Sequence, residues 1–540
     1  MLGLESSFPL DPETVLWDAI VIGTGMGGGT IGYELAKAGK KVLFLEKGNY
    51  FGPKSDCDDK FAKNYLSTEA QHRIELGFWP DRVNVETTLG AKRMYMPLGC
   101  GTGGSSLLYA GHLERFFPSD FSPKENYQYI SDSTLPEKWP ISYSELLPYY
   151  EIAETLYRVR GTTDPLRGSL ESKLLKPADL GTRGKYLYKS FLDAGLNPYY
   201  SHIACDFKEG CSECGNVICK FDCKNDANKI CVIPAIEIYG AKILPNCEVT
   251  RLEANKNKIL SVSCNKGDTN LSLKAREYIL SAGSLGTPNI MLNSANEIWP
   301  NGIANSSGYV GRNLMFHASD FVAVTSPIPN HLNEQKSISL NDFYHANGLK
   351  LGTVQSAGIL IDKWYIRKRF NEKYTESSYL LRAFFTPFVN LCSIIFAYFF
   401  KRVALFAIIT EDLPYYENRV YPDKNNSKLM NISYCYTSDL RKRSNSIFQS
   451  FKKALNKKHY VFKISGRVNI NFGHSCGTCR FGDDPKTSVL NRDNRTHDIS
   501  NLWICDASFF PSSGGTNPSL TIAANAIRVA EKISKALDSF

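Results

Sequence analysis

Several things are missing from this chain. Its 540 residues hold no internal repeat and no low-complexity tract, which sets aside repeat arrays and disordered linker proteins. It has no long basic block and no repeated aromatic platform, so nucleic acid is not an expected partner. The first residues, MLGLESSFPLDPETVLWD, show neither a basic n-region nor an apolar h-region. No signal peptide is read there, and a cytoplasmic location is expected. Charge of one sign is also scarce: 63 Lys and Arg against 54 Asp and Glu leave +9. The excess is thinly spread, in short clusters such as Arg441-Lys442-Arg443 and Lys457-Lys458. It reads as a solvated basic face, with weak peripheral attraction to the inner face of an anionic membrane as the alternative.

What is present is ordinary in bulk. Hydrophobic residues are 43% and charged residues 22%, as in a folded protein. The length suffices for two domains, interwoven or in series. Fifteen cysteines without a secretory signal point to thiols or ligands more than to a disulfide framework.

The informative segments stand at the two ends. Asp18-Ala-Ile-Val-Ile-Gly23 is a short apolar run, β-branched at its centre, as a buried parallel strand should be. Gly23-Thr24-Gly25-Met26-Gly27-Gly28 follows, then a helical segment ending near Gly39, then a strand to Glu46. Strand, G-x-G-x-x-G, helix, strand and acid form a dinucleotide-binding unit, with Glu46 where the ribose-binding carboxylate belongs. Gly23 permits the turn, Gly25 and Met26 bring backbone to a pyrophosphate, and Gly28 lets the helix pack closely. A second glycine-rich segment, Gly99-Cys-Gly101-Thr-Gly103-Gly104-Ser105-Ser106, lets backbone lie against a wide flat ligand. At the other end stand Gly473-His474-Ser-Cys-Gly477-Thr478, Asp506-Ala507, and Gly514-Gly-Thr-Asn517-Pro518, just before an Ala-rich helix.

Taken together, these segments resemble the glucose–methanol–choline (GMC) oxidoreductases, which use FAD. Arg115–Phe121, Trp139–Tyr150, Gly283–Ser294 and Val310–Leu314 also match that family, in family order and across nearly the whole chain. Three positions depart from it. Ala295 stands where the second signature usually ends in Gly, and Tyr109 where many members have Asn. Leu108 stands where some relatives carry a flavin-linking His, so the resemblance implies non-covalent FAD; His112 is the nearby histidine. It implies FAD contacts at Gly101, Gly103, Gly104, Ser105, Val249, Ala282, Asp506, Ala507, Asn517 and Pro518. The expected reaction is oxidation of an alcohol to a carbonyl, with hydride passing to flavin N5. His474 resembles the family's catalytic base and Asn517 its partner, since an amide can orient a hydroxyl but cannot take its proton at neutral pH. Asn517 also fits a helix N-cap.

The implied fold is α/β: a Rossmann-like FAD-binding domain interleaved with an α+β substrate domain containing an antiparallel sheet. The FAD domain is expected over 14–125, 232–320 and 466–540, and the substrate domain over 126–231 and 321–465. Two segments of the substrate domain stand out. In 205–231, Cys211, Cys214, Cys219 and Cys223 follow C-x2-C-x4-C-x3-C, open to an iron–sulfur cluster, zinc, or a loop of plain thiols. Residues 383–400 carry no charge and read as a monotopic element or a lid, with a buried helix as the alternative. If that surface is exposed, the substrate is expected to be apolar: a sterol, long-chain alcohol or other lipid. A sugar or polyol dehydrogenase, or a flavin-dependent isomerase or lyase, is the alternative. A dehydrogenase passing electrons to a quinone or partner protein is favoured over an oxidase using O₂.

Overall fold

A computed structural model describes residues 7–52, 69–168, 173–211, 215, 217–329, 336–358, 379–423, 425–426, 429–464 and 468–539, with 379–387 as backbone only. The strand Leu16–Ile22 sits at the centre of a parallel sheet, and its residues Ala19–Ile22 are buried. It pairs with Val42–Leu45 on one side and Thr269–Leu280 on the other, matching Ile20 to Leu43 and to Tyr278. Lys242–Leu244 and Leu502–Ile504 extend the parallel array outward. Apolar, β-branched runs suit strands covered on both faces. Cys247–Ala254 and Ile259–Lys266 attach as an antiparallel extension of Thr269–Leu280. One sheet thus gathers strands from three distant parts of the chain, the interleaving that was expected.

The loop after Leu16–Ile22 opens the helix Met26–Lys37, which ends before Gly39 at φ +77°. This helix packs against the long C-terminal helix Ser519–Asp538, whose first twelve residues are almost wholly buried. The expected strand over 243–249 is in fact two, Lys242–Leu244 and Cys247–Ala254, separated by Asn246 at φ +52°.

The second sheet is antiparallel. Its order is Val461–Lys463, Met315–Thr325, Val403–Thr410, Gly352–Ser356, Ile338–Leu340, Tyr199–Tyr200, with Ile470–Cys476 also paired to Met315–Thr325. The helices Gly181–Asp193 and Ser438–Leu455 cover one face, through Leu187, Phe191, Ile447 and Phe451 against Phe406 and Val354. Thr437 caps the second helix by accepting from the Leu440 N–H at 3.1 Å. Met315–Thr325 runs across the expected domain join at 320–321, and Ile470–Cys476 rides on it, so the segment bearing His474 belongs to this sheet. A smaller sheet joins Arg419–Pro422, Met430–Tyr434, Arg82–Thr87 and Gly90–Tyr95.

The apolar segment forms the end of the helix Tyr379–Phe400. Phe388, Leu391, Ile394, Ile395, Tyr398 and Phe399 are exposed, while Val389 and Ser393 are buried. The buried-helix alternative is therefore set aside. Among the described residues no helix is long and apolar enough to cross a membrane.

Candidate active site

Two glycine-rich loops meet over Glu46. Its Oε2 accepts from the Thr24 hydroxyl at 2.6 Å and the Thr24 N–H at 3.2 Å; its Oε1 accepts from the N–H of Gly48 at 2.9 Å and of Gly101 at 3.0 Å. The Gly103 N–H donates to the Thr24 hydroxyl at 3.2 Å. Burial raises the Glu46 pKa, against these donors. Glu46, expected at a ribose, thus also staples the first loop to the second. The chain needs bare backbone here. A Cβ on Gly28 would lie 2.0 Å from the Gly23 carbonyl oxygen, and one on Gly104, at φ +52°, 2.8 Å from the Gly25 Cα. No side chain caps the helix at Gly25, so its first N–H groups remain for a ligand.

These loops open on a cavity of about 710 Å³ between the two sheets. Gly23, Gly25, Met26, Glu46, Gly104 and Ser105 line it, as do Val249, Ala282, Asp506, Ala507 and Pro518. Gly28, Gly101 and Gly103 do not line it, although the Gly101 and Gly103 N–H groups hold Glu46 and Thr24, which do. Asp506 acts as a second staple. Its Oδ2 accepts from the Gly283 N–H at 2.9 Å and the Thr287 hydroxyl at 2.5 Å, and its Oδ1 from the Ser508 N–H at 2.8 Å. Leu108 and His112 also line the cavity. Burial, aided by Lys336, lowers His112 to about 3, so its ring is neutral.

His474 and Asn517 line the same cavity, although they lie on different segments. The pairing of Ile470–Cys476 with Met315–Thr325 explains where His474 goes. Cys476 faces Met315 and Asn471 faces His317, so five steps on one strand oppose two on the other. The surplus bulges, as extra residues in a ladder do, and carries Gly473-His474 out of register toward the cavity.

His317, which the sequence reading did not single out, then meets His474. The two Nδ1 atoms are 3.0 Å apart, and His317 Nε2 is 2.9 Å from the Gly514 carbonyl oxygen. A carbonyl only accepts, so His317 Nε2 carries the proton and its Nδ1 is an acceptor. His474 therefore donates from Nδ1, and its Nε2 keeps a lone pair. Loss of surrounding water lowers the His474 pKa well below the ordinary imidazole value, with His317 and His112 adding to the effect. The available signal in the sequence was proximity: His317 lies three residues after Val310–Leu314, a segment already noted.

Gly514 is itself held. Its N–H donates to Glu411 Oε1 at 3.1 Å, and the Gly515 N–H donates to the Tyr344 hydroxyl at 2.8 Å. Lys350 bridges Asp120 and Glu411, at 2.5 Å to each, with all three side chains fully buried. Burial alone would lower the Lys350 pKa, but the two carboxylates outweigh it and raise it. The Tyr344 hydroxyl donates to Asp120 at 2.7 Å and the Tyr127 hydroxyl to Glu411 at 2.7 Å. Asn517 is buried, and its Oδ1 has no partner among the described residues. The N-cap of the C-terminal helix is Pro518, so Asn517 stands before the helix and does not cap it.

The cysteine segment gives no support to a metal. Cys205, Cys211, Cys219 and Cys223 pack with Ile203 and Phe207, and burial pushes the Cys223 thiol up to about 12. Among the described residues no group of three or more His, Cys, Asp or Glu is placed to hold a metal ion. Cys214 lies outside the described residues.

Comparison with known proteins bears on this site. Family models described as GMC oxidoreductase match residues 18–319 and 437–526. The chain is 26% identical to 2-methyl-1,2-propanediol dehydrogenase of Mycolicibacterium austroafricanum, covering 96% of this chain and 95% of that one. It is 26% identical to the fructose dehydrogenase large subunit of Gluconobacter japonicus, covering 96% and 98%. Among solved structures, pyridoxine 4-oxidase from Mesorbium loti shares the fold with a TM-score of 0.62 at 19% identity, covering 96% and 99%.

Proposed function

The chain belongs to the GMC oxidoreductase family, and on that premise we propose that it oxidises the CH–OH group of an alcohol to a carbonyl with non-covalently held FAD. The observation that carries this reading is the His474 Nε2 lone pair, set by His317 and Gly514, on a residue that lines the same cavity as Asn517. The cofactor fits the residues present. Bare glycine backbone, an uncapped helix start and a leucine at position 108 suit a flat dinucleotide held without a covalent link. Gly25, Met26, Gly104, Ser105, Val249, Ala282 and Ala507 would hold it. Bound FAD supplies the hydride acceptor, flavin N5.

The protein's part is the proton and the pose. His474 Nε2 takes the hydroxyl proton as the C–H bond breaks, and a neutral ring is available because its pKa is lowered. The Asn517 amide donates to the substrate oxygen and holds it toward His474. His317 is a positioning residue: it keeps the proton on His474 Nδ1 and so keeps Nε2 basic. Phe321, Ala407 and Ile409 line the cavity and receive the carbon skeleton, which supports an apolar face on the substrate. We assign the chain as a dehydrogenase. The exposed apolar helix face from Phe388 to Phe399, followed by exposed Lys401 and Arg402, suits a lipid-soluble acceptor such as a quinone at a membrane surface.

The test is anaerobic mixing of the holoenzyme with a panel of sterols, fatty alcohols, diols, sugars and choline. Flavin bleaching with at least one alcohol and slow reoxidation in air is expected. No bleaching by any alcohol would refute the reaction, and rapid reoxidation would make the enzyme an oxidase.

A further inference from the structure

The sheet wall beyond His474 carries polar atoms that the described residues leave unpaired. Register sets Ser319 beside Ile409, and Phe321 beside Ala407, which in turn faces Gln355. Opposed residues share a face, and residues two apart on a strand share it too. Ser319, Phe321, Ile409, Ala407 and Gln355 therefore form one surface, and all five line the cavity. Three of them are apolar. The other two, Ser319 and Gln355, are each 5% exposed, and Ser319 Oγ and Gln355 Oε1 have no hydrogen-bond partner among the described residues. Buried polar atoms are paired as a rule, and a ligand that leaves them unpaired binds poorly.

We propose that the substrate is an alcohol with a second hydroxyl, a diol or short polyol, whose further hydroxyl is held by Ser319 and Gln355 while its carbon backbone lies on Phe321, Ala407 and Ile409. The proposal rests on the oxidation at His474 set out above. A hydroxyl both donates and accepts, so it can serve a serine hydroxyl and either end of a glutamine amide. A plain hydrocarbon chain would leave both unpaired. Ser319 stands two residues along the strand from His317, roughly 7 Å at strand rise. Ser319 thus lies on the same strand as the residue that positions His474.

The experiment compares 1,2-, 1,4- and 1,6-hexanediol, the most efficient of which is the diol scored, with 1-hexanol in anaerobic flavin reduction by the holoenzyme. The wild type should reduce with the diol at least about tenfold more efficiently, and Gln355→Leu and Ser319→Ala should each erase most of that advantage. The change should appear in the apparent substrate dissociation constant more than in the limiting rate. If Gln355→Leu does not fold, Ser319→Ala, which removes one atom, decides alone. A preference for 1-hexanol, or a diol advantage kept in the variants, would overturn the proposal and mean that water serves these atoms. Absence of bleaching by every alcohol in the wider panel would instead overturn the oxidation itself, and this proposal with it.

Discussion

At the scale of single residues, the account turns on which nitrogen of His474 holds a proton. His317→Phe removes the acceptor for His474 Nδ1–H and frees the ring to take either tautomer. The limiting rate of flavin reduction should fall by roughly 10- to 100-fold, a modest share of what general-base catalysis contributes. The pH profile gives a sharper readout. The base must be neutral, and a lowered pKa keeps it neutral into acid, so the acid limb of kcat/KM in the wild type should lie below the ordinary ~6.5. His317 is one of the causes of the lowering, so its removal should move that limb to higher pH. An unmoved limb would reduce His317 to a packing residue. The sequence singled out His474 and Asn517 because each sits in a short pattern of glycine, threonine or proline, and the fold brings both to one cavity. It did not make His317 legible, since its role arises from a bulge that sets residue 474 against residue 317 across 157 positions. Glu46 and Asp506 were singled out in the sequence as carboxylates expected at FAD, but their stapling of the loops was not legible, because their donors come from other loops.

At the scale of elements, the loop at 513–515 is held by buried charge. Lys350 comes from the strand pair Leu349–Lys350 with His345–Ala346, Asp120 from the segment before Trp139, and Glu411 from the end of Val403–Thr410. Removing one partner strands the others in a medium of low polarity. Lys350→Met should therefore lower stability by about 3–5 kcal/mol, read as a shift in the denaturant midpoint. It should also loosen Gly514 and slow flavin reduction. Unchanged stability would mean that water reaches Asp120 and Glu411. A parallel effect links stability to pH. Burial raises Asp412 to about 7, whereas in the unfolded chain it titrates near ~3.9. The folded state holds that proton longer, so stability should fall as pH rises from ~4 to ~7, and Asp412→Asn should flatten that part of the curve. The parallel strands could be read from their apolar runs. The antiparallel register could not, because Val403–Thr410 is buried at all eight positions and carries no alternation to read.

At the scale of the whole molecule, residues of two sheets built from interleaved segments line the cavity that holds His474 and Asn517. The strands Arg82–Thr87 and Gly90–Tyr95, expected in the FAD part, share a sheet with Arg419–Pro422 and Met430–Tyr434 of the expected substrate part. Near 320 and 466 the strands Met315–Thr325 and Ile470–Cys476 tie the two parts together and bring His474 to the cavity. A cavity that completes the fold around FAD should couple binding to stability. FAD at a hundredfold excess over its Kd should stabilise the stripped protein by ~2.7 kcal/mol, seen as a rise in Tm. After denaturation and filtration the flavin should pass into the filtrate, as Leu108 implies. Flavin retained on the chain would contradict non-covalent binding.

The most direct test of the central claim is stopped-flow flavin reduction by the best alcohol of the panel, comparing the wild type with His474→Ala at matched FAD content. The account predicts a fall of ~10²–10⁴-fold in the limiting rate of reduction, partly recovered as pH rises and the alcohol ionises in solution. A near-normal rate in His474→Ala would contradict it and place the base elsewhere in the cavity.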